Sequence, residues 1–195
     1  AVEGYFHTRS FKRYALRMLL FAVLSEVPFD LMYGGTVFYP VHQNVIWTLL
    51  LGLLGIRLME AARAKGKRWL YVLTCAAVVV LGFALGTLGM VDYYGAGVLT
   101  VFAFYFFRER KWWCLLGQLA ALYWLNVVVL GGQMYPVTLF GREIELCEQG
   151  LALLALVPIW LYRGRQGHHS KAFQYACYAF YPAHMLVLAL LTMIQ

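Results

Sequence analysis

The chain is 195 residues long, 63% of them hydrophobic and 13% charged, with a mean hydropathy of +0.68, whereas soluble domains carry about 25% charge. Its formal net charge of +7 lies in short clusters between apolar runs rather than in one patch. That excludes a nucleic-acid-binding surface and points to an integral membrane protein whose cations set topology.

Taken in chain order, apolar runs of membrane length bounded by polar punctuation fall at residues 14–33, 44–62, 69–90, 93–107, 112–131, 147–162 and 172–194. The sequence therefore predicts an all-α, polytopic membrane helical bundle of about seven spans, one transmembrane domain over residues 1–195. The fourth and sixth runs are short. Connectors opening at Arg9, Arg63, Arg108 and Arg163, with Arg17, hold 14 of the 16 Lys and Arg. This alternation places residues 1–13, 63–68, 108–111 and 163–171 in the cytoplasm and the C-terminus outside. The chain opens at Ala1 without an initiator methionine or a signal-peptide pattern, as a processed or shortened chain would.

The first run carries Arg17, Glu26, Pro28 and Asp30. At about 1.5 Å per residue, Glu26 lies roughly 18 Å and Asp30 roughly 24 Å beyond Tyr14. A lone acid near mid-membrane costs about 2.5–3.5 kcal/mol, so such a side chain faces a protein or water-filled interior. Glu26 and Asp30 share one helix face, and Pro28 between them predicts a kink. The alternative is an interfacial Asp30 with Glu26 in a packing ion pair.

Other polar groups stand at matching depths: Asn44 at the outer start of its run, Asp92 before "YYGAGVL", Asn126 in "LYWLNVVVL" and His184 in "FYPAHMLVL". Together they predict a polar cavity in the bundle. His184 is the candidate proton acceptor, with a carbonyl-bonded structural histidine as the competing reading. His168 and His169 belong to an inner loop and have no further metal ligand nearby, and the four cysteines read as packing residues. No metal is expected. The glycines of "YYGAGVL" and "LLLGLLGI" read as points of close helix approach.

The runs "GYFHTRSFKRYALRMLLFAVLSEVPFD", "NVIWTLLLGLL", "YYGAGVL" and "FYPAHMLVL" resemble, in order and spacing, the TraX family, whose namesake is the conjugal-transfer F-pilin acetylase. The resemblance implies a bacterial inner-membrane enzyme related to the wider membrane acyltransferases, with an upstream helix that carries an Asp-His pair and a second helix leading into the "GYFHT" region. It implies transfer of an acetyl group from acetyl-CoA to an amine or hydroxyl, on a pilin-like peptide or a cell-surface glycan. In that chemistry His184 acts as base or orients one, Glu26 or Asp30 fixes its protonation, and Asn44 or Asn126 polarises the carbonyl. The donor's phosphates would meet His7, Arg9, Arg13 and Arg17 of "HTRSFKRYALR" at the inner face, while Arg108 and Arg110 serve topology. Two other classes fit the same polar residues: a secondary transporter with a midplane site, and a non-catalytic membrane assembly factor.

Overall fold

A computed structural model describes residues 1–139, 142–162 and 170–194. The expected inner loop with His168 and His169 lies outside the described residues. Helix α1 (Val2–His7) is followed by α2 (Phe11–Gly34), which Ser10 caps by accepting the Arg13 amide and which Gly35, at φ +66°, ends. Helices α3 (Val45–Arg63), α4 (Arg68–Leu88) and α5 (Tyr94–Phe106) follow. Helix α6 (Trp112–Tyr123) continues into a π-helical stretch, Trp124–Leu130. After strands β1 (Met134–Leu139) and β2 (Arg142–Cys147) come a 3₁₀ stretch Glu148–Ala155, α7 (Leu156–Leu161) and α8 (Lys171–Ile194).

Among the described residues four segments are long and apolar enough to cross a membrane: Val45–Arg63, Arg68–Leu88, Trp112–Leu130 and Tyr175–Met193. The expected count of seven is not reached on that test. Helices Tyr94–Phe106 and Glu148–Leu161 are apolar but short. Helix α2 is long enough at 24 residues, but Arg17, Glu26 and Asp30 lower its apolarity below that of the four. It runs unbroken through Pro28, and α8 through Pro182.

The all-α expectation fails at residues 134–147. Residues 143–146 alternate polar and apolar, the period of a strand, and Arg142–Cys147 pairs antiparallel with β1 from Met134↔Cys147 to Leu139↔Arg142.

Helices α3, α4 and α5 pack against one another around buried Leu53, Ile56, Met59, Val98 and Phe102. Glycines permit this approach: a Cβ on Gly95 would stand 2.5 Å from the Phe83 carbonyl oxygen, and one on Gly55 2.6 Å from the Phe102 ring. Helix α2 packs on α3, α8 on α2, and α6 on α5. Phe21 stacks on Tyr178 at 5.1 Å, and Tyr181, one turn further along α8, feels the charge of Glu26, further along α2. The two helices are therefore parallel.

Connectors 35–43 and 89–93 meet at one end of the bundle, where the Gln43 amide donates to the Met90 carbonyl at 2.8 Å. Arg63, Arg108 and the α1 segment gather at the other, with Arg108 ion-paired to Glu3 at 2.7 Å. The positive-inside rule would make the arginine-rich end the inner one, and the two ends are termed inner and outer in that sense. In a cysteine-free background, Lys65→Cys should be shielded from an impermeant thiol reagent in intact cells, and Glu145→Cys should react. The reverse labelling would invert the bundle.

Candidate functional site

The outer end is organised by Asn44, which caps α3: its Oδ1 accepts the Ile46 amide at 3.0 Å. The same side chain is fully buried and donates from Nδ2 to the Ala22 carbonyl at 2.8 Å and to Glu26 Oε2. Trp47, one turn along α3, donates its indole N–H to the same Glu26 oxygen at 2.8 Å. Two neutral donors thus hold one carboxylate oxygen, and Glu26 Oε1 is buried with no hydrogen-bond partner among the described residues. Because its amide hydrogens are committed, Asn44 positions Glu26 here rather than polarising a carbonyl.

One turn on, Asp30 is buried, and its Oδ2 accepts the Tyr39 amide at 3.0 Å. That bond anchors the connector after α2, whose far end is pinned by the Gln43–Met90 bond. Between the anchors stands His42. Its ring lies 4.5 Å from Tyr33 and 5.6 Å from Phe29, both stacked, and 5.7 Å edge-on from Tyr94. The side chain is only 9% exposed, and its Nε2 is 3.4 Å from Asp92 Oδ1. Replacing Asp30 by Ala removes the connector's anchor and should cost about 1–3 kcal/mol, measured as a lower unfolding midpoint in detergent. An unchanged midpoint would mean that the connector is held elsewhere.

Asp92 is supplied by a strained loop. Met90, Tyr93 and Tyr94 have φ of 50°, 60° and 49°, left-handed values that cost non-glycine residues roughly 1–3 kcal/mol each and cluster at functional sites. Thr48 Oγ1 holds the Asp92 carbonyl at 2.7 Å. Burial holds the Asp92 carboxyl above the usual range, with His42 beside it acting in the opposite direction.

Helix α8 contributes Tyr181. Its buried hydroxyl lies close to the Val45 amide but outside hydrogen-bonding geometry, within electrostatic reach of Asp92 and Glu26. His184 stands one turn on, edge-to-face with Tyr181 at 5.4 Å and stacked on Phe180 at 5.2 Å. Its Nδ1 is 3.3 Å from the Phe180 carbonyl of its own helix. No bond joins it to a carboxylate among the described residues. Asn126 is also apart: from the π-helical stretch it donates back to the Leu122 carbonyl of α6 at 2.9 Å. Among the described residues two histidines meet an acid, exposed His7 with Glu3 at 3.5 Å and buried His42 with Asp92, and His42 was not singled out from the sequence. Its signal was weak, because Asp92 lies 50 positions away and only the packing of α3 on α4 and α5 joins them.

At the inner end the expected donor-binding residues do not form one cationic helix face. Arg9 falls in the break between α1 and α2, His7 bonds the Glu3 carbonyl at 2.9 Å, and Arg13 is exposed. Arg17 has its Nε buried without a hydrogen-bond partner among the described residues. None of the four lines the large inner cavity of about 1160 Å³; Arg63, Arg108 and Arg110 do.

A family model described as TraX protein matches residues 1–192. Among curated proteins, a probable fimbrial assembly protein FimC, serogroup H1, of Dichelobacter nodosus is 26% identical over 197 residues, covering 96% of this chain and 74% of that protein. No solved structure matches the chain.

Proposed function

The chain belongs to the TraX family, and from that premise and the geometry of the outer end we propose that it is an acetyltransferase of the bacterial inner membrane. Acetyl-CoA is the donor. Helices α2 and α5 and the Glu148–Leu161 segment complete seven passages together with the four longer apolar segments, so α8 ends outside. The description of the Dichelobacter nodosus relative as a fimbrial assembly protein favours a pilin-like peptide over a glycan as acceptor. Two carboxylates, Glu26 and Asp92, suit an amine better than a hydroxyl.

The main support is the His42–Asp92 pair at 3.4 Å, a base with an acid to orient it. With Nε2 toward Asp92, Nδ1 takes the proton of the acceptor N–H or O–H as its nitrogen or oxygen bonds to the thioester carbonyl carbon. The C–S bond then breaks, and the departing thiolate takes up the proton. Asp92 stabilises the imidazolium between the two events. Glu26, oriented by Asn44 and Trp47, offers Oε1 to an acceptor N–H. Tyr33, exposed and stacked over His42, is the side chain an acceptor passes.

Purified protein given radiolabelled acetyl-CoA and an amine-terminated pilin-like peptide should label the peptide. No turnover by folded protein with either acceptor class would favour the assembly-factor reading. The pH profile carries a second expectation. Asp92 must be ionised to hold the imidazolium, and a raised pKa means that it regains its proton earlier as pH falls. Loss of kcat/KM attributable to Asp92 should therefore begin above the ~3.9 of a free aspartate, and Asp92→Asn should remove that component of the acid limb.

A further inference from the structure

Acyl transfer moves the carbonyl π pair of a thioester onto oxygen, and hydrogen-bond donors placed at that oxygen supply much of the rate. Neither amide expected from the sequence to serve there is free. Asn44 gives its Nδ2 to the Ala22 carbonyl and to Glu26, and Asn126 gives its own to the Leu122 carbonyl.

Uncommitted donors stand instead where α2, α3 and α8 meet. Helix α3 starts at Val45, and the first amides of a helix have no partner within it. Asn44 Oδ1 takes the Ile46 amide at 3.0 Å and the Asn44 carbonyl takes the Trp47 amide at 3.1 Å. The Val45 N–H is left without a hydrogen bond among the described residues. Close to it lies the Tyr181 hydroxyl, itself enclosed and without a partner among the described residues. Buried tyrosine hydroxyls usually find one, and an orphan costs stability. Ser25 is a second such group: it is fully buried, and its Oγ also has no partner among the described residues. Phe21 stacks on Tyr178, so Ser25 and Tyr181, each about one turn further along two parallel helices, stand at one level. Asp92 and Glu26 lie within electrostatic reach of the Tyr181 hydroxyl, which brings it to the neighbourhood of the His42–Asp92 pair.

We propose that Tyr181 is a catalytic residue whose hydroxyl, together with the Val45 amide, forms the oxyanion hole. The assignment rests on the transfer reading. As the acceptor nitrogen bonds to the carbonyl carbon and its proton passes to His42, the C=O π pair moves onto oxygen, which accepts the Tyr181 O–H and the Val45 N–H. Tyr181 keeps its proton throughout. The pair then returns to re-form C=O while the C–S bond breaks, and the thiolate takes up the proton that His42 held. The positive end of the dipole of α3, a helix of 19 residues, favours the oxyanion. Glu26 and Asp92 oppose it, so its charge is matched while His42 is an imidazolium, and base and hole act in one step.

The test compares kcat for acetyl-CoA with kcat for coenzyme A dithioacetate, in which sulfur, a weak hydrogen-bond acceptor, replaces the carbonyl oxygen. The full chain is used in detergent, with an amine-terminated peptide as acceptor. Tyr181→Phe should lower kcat for acetyl-CoA about 10²–10³-fold, the usual worth of one oxyanion donor, with KM nearly unchanged. Its loss with the dithioacetate should be far smaller. A tyrosine that only braces α8 would slow both donors by the same factor. Because the deleted hydroxyl has no partner among the described residues, the unfolding midpoint should hold or rise. Ser25→Ala should lose less than Tyr181→Phe, since it is Tyr181 that lies beside the Val45 amide. Near-normal kcat in folded Tyr181→Phe overturns the hole, as does an equal loss for the two donors, a loss confined to KM, or a larger loss in Ser25→Ala. If one of these occurs while the wild-type protein transfers acetyl and His42→Gln does not, the transfer reading stands without the hole. No transfer by the folded wild-type protein overturns both.

Discussion

His42→Gln should lower acetyl transfer by about 10²–10⁴-fold, the usual worth of a general base, with the protein still folded. Glutamine keeps the polar contact toward Asp92 and much of the ring's volume between Phe29, Tyr33 and Tyr94, so the lost property is proton acceptance. Asp92→Asn should fall in the same direction, because an amide does not stabilise the imidazolium. The double variant should lose little more than the worse single, since residues acting as one unit are non-additive. His184→Gln, whose ring serves its own helix, should cost far less than His42→Gln. The opposite ranking would move the base to α8.

Gly95→Val should destabilise the bundle by about 1–3 kcal/mol, the range for overpacking, and should also depress transfer. The new Cβ would stand 2.5 Å from the Phe83 carbonyl oxygen, a backbone atom that cannot rotate away, and a Cβ on the facing Gly86 would be 2.9 Å from the Tyr94 carbonyl. Separating α4 from α5 also shifts the loop that carries Asp92, three residues before Gly95. Gly150→Ala is the control, because its Cβ would find nothing nearer than 3.5 Å. The unfolding midpoint in detergent distinguishes them. Equal midpoints for both variants would mean that the α4–α5 contact yields without cost.

Periodicity and hydropathy located helices closely where helices are uniformly apolar: residues 44–62 became Val45–Arg63 and residues 69–90 became Arg68–Leu88. "YYGAGVL" was legible as a close-packing motif because glycine leaves little else to explain its spacing. The hairpin was passed over although Glu143 and Glu145 alternate with Ile144 and Leu146, because hydropathy windows average such alternation away. Within the site, Glu26 and Asn44 were legible from their depth, and the structure joins them directly. Their roles were not, since hydrogen-bond partners come from helix packing. Asp30 was read as chemistry and instead holds the Tyr39 amide. Arg63, Arg108 and Arg110 carry the same basic signal as every inner connector, so their place on the cavity wall was not legible.

Sided proteoliposomes test the transfer centre most directly. With labelled acetyl-CoA confined to the side bearing Lys65 and an amine peptide confined to the side bearing Glu145, the protein should label the peptide, and His42→Gln should not. Labelling only when donor and acceptor share one side, or none from a folded protein in either arrangement, would contradict a centre at the outer end supplied from the inner one.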